Sequence, residues 1–284
     1  MTEPELYLEF CTRTDPRFLK IRRNHYVADR GTMGQCISFL IWNRKKVVGI
    51  VVGAAPIFGT KARDSFFGIT PKNKKNCLNG VINNLLFRIE YHGENFATQC
   101  IALWRRAVTY AWADIYKVQP FGFETFIDEI RPDGKATRDG GLYKADNWIY
   151  LGLTQGNTKT HGKEGMAGGL PENGHIVHRR RRVPRKLLFC RWLDNRLPVV
   201  IESEYKSSWK NLTPEDKERA RLLSKRRNAY LRATFSLQGT TLVIRRLDGQ
   251  FTQSKHTART AQKAGMAPRQ ETPLTNPDGC GAGR

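Results

Sequence analysis

The sequence predicts an α/β (α+β) fold in which helices cover a mixed central sheet. Between Leu6 and Gly152, β-prone runs and helical patterns follow one another as strand, helix, three strands, helix, strand, short helix and strand. Two neighbouring β-prone runs are joined by a short polar turn, which is typical of an antiparallel hairpin. A mixed order of this kind, with a hairpin at its centre, indicates one sheet with helices packed on it.

The first predicted elements lead to a His-Tyr pair. Leu6–Phe10 alternates along its length and predicts a strand. Asp15-Pro16 predicts a helix start, with aspartate as the cap and proline in the first turn, and the helix should end near Arg23. His25-Tyr26 follows at its C-terminal end. Taken alone, such a histidine is more often structural than catalytic.

A hairpin and a long helix form the centre of the predicted fold. Cys36–Trp42 and Val47–Gly53 are the two hairpin strands, and the second is apolar on both faces, as in a central strand. Val81–Tyr91 predicts a further strand. Phe96–Tyr116 predicts a helix with one apolar stripe, from which Arg105 and Arg106 are absent. The stripe is interpreted as core packing and consists of Ile101, Trp104, Val108, Trp112 and Ile115.

The stretch Phe121–Gly152 has the pattern of a site floor. A strand over Phe121–Ile127 ends at Asp128, a glycine-rich link follows, and a short segment starting at Tyr143 leads into a strand over Trp148–Leu151. Strand ends that bring an acid, a tyrosine and a lysine together across a loop are common in binding sites. The alternative is an ordinary connection between two core strands.

Composition divides the chain into three predicted regions. Residues 1–160 form the α/β core, residues 161–249 a basic extension that binds DNA, and residues 250–284 a disordered tail. Within the extension, Leu187–Trp192 predicts an edge strand and Thr213-Pro214 opens a helix to about Arg227. Thr234–Leu237 and Thr241–Arg245 predict a hairpin.

The charge of the chain predicts an anionic partner. Lys and Arg number 48 against 26 Asp and Glu, which gives a formal net charge of +22 at pH 7. Such an excess most often indicates nucleic acid. Arginine donates paired hydrogen bonds to phosphate, so the densest cationic run should bind the DNA backbone without reading bases. A solvated basic segment and RNA as the ligand remain open alternatives. The run contains Arg179, Arg180, Arg181, Arg182, Arg185 and Lys186.

Membrane and metal sites are not indicated by sequence motifs. The N-terminus lacks the apolar core of a signal peptide, and the apolar run Val47–Phe58 is too short to span a bilayer. The six cysteines are scattered without a C-x-x-C pair. This spacing argues against a disulfide framework and predicts that the protein is located in the reducing cytoplasm. His175, His178 and Cys190 lack the spacing of a metal site. Phosphate-loop, dinucleotide and common hydrolase motifs are absent.

A set of short motifs lies between about residues 20 and 160. The most specific part is Glu124-Thr125-Phe126 followed by the Tyr143–Trp148 segment, Tyr-Lys-Ala-Asp-Asn-Trp. The remaining motifs are His25-Tyr26, Gly49-Ile50, Arg63-Asp64, Asn83-Asn84 with Arg88, and Gly152-x-Thr154-x-Gly156. In this order they resemble the DruA-type family of Druantia anti-phage systems. This resemblance implies an anti-phage role and other defence proteins as partners.

The same core is more distantly similar to the bacteriophage Mom family, which modifies adenine in DNA and has a Gcn5-related N-acetyltransferase fold. This resemblance implies catalytic roles for His25, Tyr26, Asp128 and Tyr143, with His25 or Asp128 as a base toward an adenine amino group. It also implies iron bound near His25 and Asp128. Lys144, in the same segment as Tyr143, is expected to contact nucleic acid.

The residues before the long helix argue against acetyl-coenzyme A as the donor. Acetyltransferases hold the coenzyme pyrophosphate there with a glycine-rich turn at a helix N-terminus. This chain has Tyr91-His92-Gly93-Glu94-Asn95, in which only Gly93 matches and Glu94 opposes a phosphate. The chain is therefore expected to be either a DNA-modifying transferase or a non-catalytic DNA-binding subunit of a Druantia-like defence or mobile-element system.

Overall fold

The computed structural model describes residues 5–25, 34–129, 138–154, 158–160, 180–182, 185–193, 199–201, 213–222, 225–228, 230–231 and 233–246. The helices in these residues are α1 (Pro16–Arg22), α2 (Lys61–Phe66), α3 (Lys74–Cys77), α4 (Phe96–Tyr116), α5 (Gly141–Ala145), α6 (Pro214–Leu222) and α7 (Lys225–Asn228). The strands are β1 (Leu6–Cys11), β2 (Cys36–Asn43), β3 (Lys46–Ala54), β4 (Val81–Ile89), β5 (Gly122–Asp128), β6 (Ile149–Leu153), β7 (Thr158–Thr160), β8 (Arg180–Arg182), β9 (Lys186–Trp192), β10 (Val199–Ile201), β11 (Ala233–Gln238) and β12 (Thr241–Arg246).

Ten of these strands form one mixed sheet in the order β10–β12–β11–β1–β2–β3–β4–β5–β9–β6. Its neighbours are antiparallel except for β4 with β5 and β10 with β12, which are parallel. β7 pairs with β8 in a separate two-stranded sheet. The predicted fold class, a mixed sheet covered by helices, is confirmed. No helix in the described part of the chain is both long and apolar enough to cross a bilayer.

The helix α1 and the β2–β3 hairpin lie where short sequence patterns predicted them. The Asp15 side chain accepts a hydrogen bond from the Arg17 backbone N–H at 2.9 Å, so it caps α1 as predicted. The β2–β3 hairpin closes at Arg44, whose φ of 53° places it in the left-handed region. β3 lies between β2 and β4 in the sheet, which explains why it is apolar on both faces.

Helices pack on both faces of the sheet. On the α4 face, all five residues of the predicted stripe are buried in the main core cluster. On the opposite face, called here the α1 face, Phe18 and Ile21 of α1 pack against β2, β3 and β4. A separate cluster on this face surrounds Phe67, just after α2. The short helices α2 and α3 were not predicted from the sequence.

The parallel strands β4 and β5 are paired over only three residues, Val81–Asn83 with Gly122–Glu124. Beyond these pairs, the Thr125 hydroxyl donates to the Asn84 carbonyl oxygen at 3.1 Å in place of a ladder bond. On the other side of β4, the register with β3 shifts so that Leu85 is the extra residue of a bulge. The two strands therefore diverge toward their C-terminal ends.

The segment predicted as a separate extension contributes strands to the same sheet. β9 was predicted as an edge strand but pairs with β5 on one side and β6 on the other. Its residues Leu187 to Cys190 are buried on both faces, which requires an interior position. β11 pairs with β1, so residue 160 does not separate these strands from the core. The described residues of the predicted helix to Arg227 lie in α6 and α7. Residues 250–284 lie outside the described part.

The described cysteines are mostly isolated. Cys11, Cys36, Cys100 and Cys190 are free and buried, as expected of small apolar residues. Burial raises the pKa of the Cys100 thiol to about 12. Cys77, unlike these four, takes part in a disulfide.

Candidate functional site

The C-terminal ends of α1, β4 and β5 meet on the α1 face. His25 follows α1, Arg88 lies near the end of β4, and Asp128 is the last residue of β5. The His25 ring is buried and donates an N–H hydrogen bond to the backbone carbonyl oxygen of Phe87. Asp128 is close enough to raise the pKa of His25. The structure thus places the predicted residues His25 and Asp128 within electrostatic range of each other. These residues with Lys186 are called the His25 site.

His25 is neutral at physiological pH. Burial is the largest cause and lowers its pKa from the ordinary 6.5 to about 4. The positive charges of Arg88 and Arg138 lower it further, and the Phe87 carbonyl and Asp128 oppose them. A neutral imidazole with one nitrogen donating to a carbonyl carries a lone pair on its second nitrogen. That lone pair is the chemical requirement for a proton acceptor.

Asp128 and Lys186 form an ion pair across β5 and β9. Lys186 was predicted to bind phosphate, but its ammonium group is held beside a carboxylate and its side chain is only 13% exposed. Arg185 is 59% exposed and lies 3.5 Å from Glu129. Lys144 is 53% exposed, and its ammonium group lies 3.4 Å from the Asp139 carboxylate. Of these three predicted DNA contacts, Arg185 and Lys144 lie at the surface.

Tyr143 lies away from His25, on the α4 face. Its hydroxyl donates to the Asn84 Oδ1 atom at 2.8 Å, and its ring packs against Trp148 and Phe189 in the main core. Asp128 projects to the opposite face, because its neighbour Ile127 belongs to the α4-face core and side chains alternate along a strand. The sheet therefore separates the Tyr143 ring from the Asp128 carboxylate.

The rest of the Tyr143–Trp148 segment is held by a buried ion pair. Arg105 of α4 donates from Nε and Nη2 to the two oxygens of Asp146, both at 2.7 Å. The Trp148 indole N–H donates to the same carboxylate at 2.8 Å. Arg105 is buried, although it falls off the apolar stripe. This pairing joins residues far apart in sequence, so no local pattern revealed it.

A second buried ion pair joins two other motifs of the resemblance. The Arg63 Nη1 atom lies 2.7 Å from Glu124 Oε2, and both side chains have 0% exposure. Desolvation raises the pKa of Glu124, and the charge of Arg63 lowers it. Arg63 also lies 2.7 Å from Asp64. Arg63 and Glu124 both belong to motifs for which no role was predicted from the sequence.

The described residues do not fit the implied iron. Within them, no group of three or more His, Cys, Asp or Glu side chains is placed to hold a metal. His25 and Asp128 supply two donors, but Lys186 pairs with Asp128 and the charges of Arg88 and Arg138 act on His25. These positive charges disfavour a bound cation. The predicted metal site at His25 and Asp128 is therefore not supported.

The turn before α4 does not fit a coenzyme pyrophosphate. A Cβ atom added to Gly93 would lie 2.6 Å from the Tyr91 ring, so that side chain occupies the space beside the glycine. The Tyr91 ring packs against Phe96 at the start of α4. Glu94 is exposed in the same turn. A phosphate group would meet an aromatic ring and a carboxylate here.

Several predicted site residues lie outside the described residues. Tyr26 and Arg179 are among them, so their positions relative to His25 are untested. Arg180, Arg181 and Arg182 form β8, which pairs with β7. His175 and His178 also fall outside the described ranges.

A match to a protein-family model shows the family of this chain. The family model described as Druantia protein DruA matches residues 8–175. The chain belongs to the DruA family. This family is part of the Druantia anti-phage systems, and membership implies other defence proteins. No curated protein matches the sequence.

Several solved acetyltransferases resemble this DruA family member in structure. An acetyltransferase from Bacillus subtilis in complex with CoA is 10% identical, with 66% of this chain and 99% of that chain covered and a TM-score of 0.36. A GNAT family acetyltransferase from Elizabethkingia anophelis with acetyl-CoA bound is 12% identical, with 67% and 100% covered and a TM-score of 0.34. An acetyl transferase from Salmonella typhimurium that modifies the N-terminal serine of ribosomal protein L7/L12 is 9% identical, with 57% and 66% covered and a TM-score of 0.30. No activity, substrate or cofactor follows from likeness at this level.

Proposed function

We propose that this DruA family member modifies a base of DNA, at an adenine amino group, and that His25 accepts the proton. The observation that supports this proposal is a buried, neutral histidine at the C-terminal ends of two diverging parallel strands. Ligands of α/β sheets commonly bind beyond the carboxyl ends of the strands. The formal charge of +22 favours an anionic polymer as the substrate.

The proposed step forms an N–C bond, breaks the bond to the leaving group and moves one proton from nitrogen to His25. The amino nitrogen attacks the electrophilic carbon of an activated donor, the new N–C bond forms, and the bond from that carbon to its leaving group breaks. The nitrogen becomes acidic as it is alkylated or acylated, and its proton passes to the lone pair of His25. Because the His25 pKa is about 4, the histidine is a weak base that acts only on a proton made acidic by the reaction.

The reacting base must leave the helical stack. The amino group of a paired adenine is engaged with thymine, and enzymes that react at bases act on extruded or single-stranded nucleotides. His25 itself is only 7% exposed, so a base in an intact duplex would not reach it. We therefore expect single-stranded or mismatched DNA to be a better substrate than paired DNA.

Mass spectrometry of nucleosides from DNA of expressing cells tests the proposal. Cells with the wild-type chain and its Druantia partners should contain a mass-shifted deoxyadenosine, and His25→Ala should abolish it. His92→Ala, at an exposed histidine before α4, is the matched control and should retain the product. Ordinary nucleosides alone in wild-type cells, with and without phage infection, would refute the proposal.

A non-catalytic DNA-binding subunit is the second candidate. It is favoured by the bonding of Asp128 to Lys186 and of Tyr143 to Asn84, since both groups have structural partners. In this case His25→Ala protein that keeps its DNA affinity would also keep phage protection. A salt-controlled competition between duplex DNA and RNA of the same length would distinguish an RNA-binding module from both candidates.

A further inference from the structure

A large aromatic side chain stands out from the loop between β3 and α2. Phe58 is 71% exposed, and its neighbour Ile57 is 52% exposed. Single exposed apolar residues are common on protein surfaces and carry no meaning by themselves. Phe58 differs from such residues because its loop is held by hydrogen bonds to buried side chains and because a lysine ammonium group lies beside its ring.

The buried ion pair of Arg63 and Glu124 holds the loop by hydrogen bonds to its backbone. The Ile57 backbone N–H donates to Glu124 Oε1 at 3.0 Å, and the Ile57 carbonyl oxygen accepts from Arg63 Nη1 at 2.7 Å. Both backbone polar groups of Ile57 are thus bound by side chains that have no exposure to solvent. The adjacent Phe58 is presented on a rigid support.

One positive charge lies beside the exposed ring. The Lys74 ammonium nitrogen lies 4.5 Å from the Phe58 ring centroid, in the range of a cation–π contact. The same nitrogen lies 2.7 Å from Asp64, which is bonded to Arg63. Further exposed lysines follow in the same segment of the chain, at Lys61, Lys72 and Lys75.

We propose that Phe58 is a wedge that inserts between bases of the bound DNA. This inference rests on the proposed function and names the element that opens the substrate. An apolar side chain that enters a base step unstacks it and kinks the duplex, and neighbouring lysines neutralise the phosphates. The Lys74 ammonium group beside the ring and the net charge of +22 favour a polyanion with stacked rings over an apolar protein surface.

The position of the wedge suits a site that acts on an extruded base. Glu124, which holds the loop, precedes Asp128 of the His25 site by four residues on β5. At about 3.3 Å per strand residue, the two points are roughly 13 Å apart along the strand. The anchor of the loop and the His25 site thus lie on the same strand and, because side chains alternate along a strand, on the same face of the sheet. In the proposed complex one stretch of DNA contacts both, and the wedge stabilises an opening near the base that enters the His25 site.

Binding and unstacking are measured together with a duplex that contains 2-aminopurine opposite a mismatch, at fixed salt. Wild-type protein should bind and raise the 2-aminopurine fluorescence. Phe58→Ala should lose the fluorescence rise and bind about tenfold more weakly, since one base–aromatic stack is removed. Phe58→Trp should restore both. Ile149→Ala, at an apolar residue of β6 with 52% exposure, is the matched control and should behave as wild type.

Each outcome separates the wedge from the proposed function. If Phe58→Ala binds and unstacks DNA as well as wild type, the wedge is refuted while DNA modification stands. If it unstacks no DNA and nucleoside modification also falls, both are supported. If wild type binds neither this duplex nor single-stranded DNA, both are refuted. Phe58-dependent binding to anionic vesicles, without binding to DNA, would assign the loop to a membrane surface and overturn the wedge.

Discussion

Arg63 and Glu124 form an ion pair that is completely removed from solvent. Removing two charges from water costs free energy, which their mutual attraction offsets only when the geometry is good and the remaining polar atoms are bonded. Here Glu124 also accepts from the Ile57 backbone, and Arg63 also bonds to Asp64. The pair therefore holds together a loop, a helix and a strand.

Glu124→Ala should destabilise the fold by about 3–5 kcal/mol, because it leaves the Arg63 charge buried without its main partner. The free energy of unfolding is measured by urea denaturation. Glu218→Ala removes a carboxylate from an exposed pair with Arg221 and should change stability little. Equal effects of the two substitutions would contradict the assignment of the buried pair.

His25 should make stability depend on pH. Its folded pKa, about 4, lies below the unfolded value of 6.5, so the unfolded chain binds more protons between these pH values. Stability should be complete above pH 6.5 and fall as the pH decreases toward 4, by at most about 3 kcal/mol. His25→Gln should remove this part of the slope, and His92→Gln should keep it. An unchanged slope in His25→Gln would show that the histidine is not buried neutral.

At the scale of elements, hydrogen bonds of buried side chains connect the α5 segment to β4 and α4, and connect β5 to β4 where these two strands diverge. Tyr143 bonds to Asn84, Asp146 bonds to Arg105, and Thr125 bonds to the Asn84 backbone. The Asn84 Nδ2 atom is buried and has no hydrogen-bond partner among the described residues. The Tyr143–Trp148 segment, whose tyrosine was predicted to be catalytic, therefore also determines how α5 packs on the sheet.

Tyr143→Phe distinguishes a structural from a catalytic tyrosine. Loss of the hydroxyl leaves the buried Asn84 Oδ1 atom without this bond and should cost about 1–3 kcal/mol of unfolding free energy. Phage protection should persist at a temperature where the variant is folded. Tyr150→Phe, at an exposed tyrosine of β6, is the control and should cost little. Loss of protection without loss of stability would instead support the catalytic role.

At the scale of the whole molecule, the net charge of +22 should dominate affinity for DNA. Each phosphate contact releases counterions, so binding weakens steeply with salt and without regard to base sequence. The exposed Arg185, Lys61, Lys72 and Lys75 belong to the described surface that would contribute.

Replacing Arg179, Arg180, Arg181 and Arg182 with Gln should weaken DNA binding. The slope of log affinity against log salt should become shallower by about 0.9 for each phosphate group that the variant no longer neutralises. Fluorescence anisotropy over a salt series measures both quantities. The control makes an equal charge change at exposed Lys45, Lys46, Lys117 and Arg221. Equal slopes for the two variants would show that the run contributes no more than general charge.

The sequence by itself determined the elements that depend on local patterns. The Asp15 cap, the hairpin around Arg44 and the apolar stripe of α4 are all set by residues a few positions apart, so each was predicted close to its observed bounds. The overall charge, and hence the class of partner to expect, also follows from composition alone.

Only the tertiary structure decided which charged and polar side chains meet. Arg63 and Glu124 are 61 positions apart, and Arg105 and Asp146 are 41 positions apart. The same holds for β9, which enters the sheet beside β5, and for Tyr143, which packs on the face opposite Asp128. Such pairings depend on the order of the strands in the sheet and on the face of the sheet on which each side chain lies. Both are set by burial across the whole core and not by neighbouring residues in the sequence.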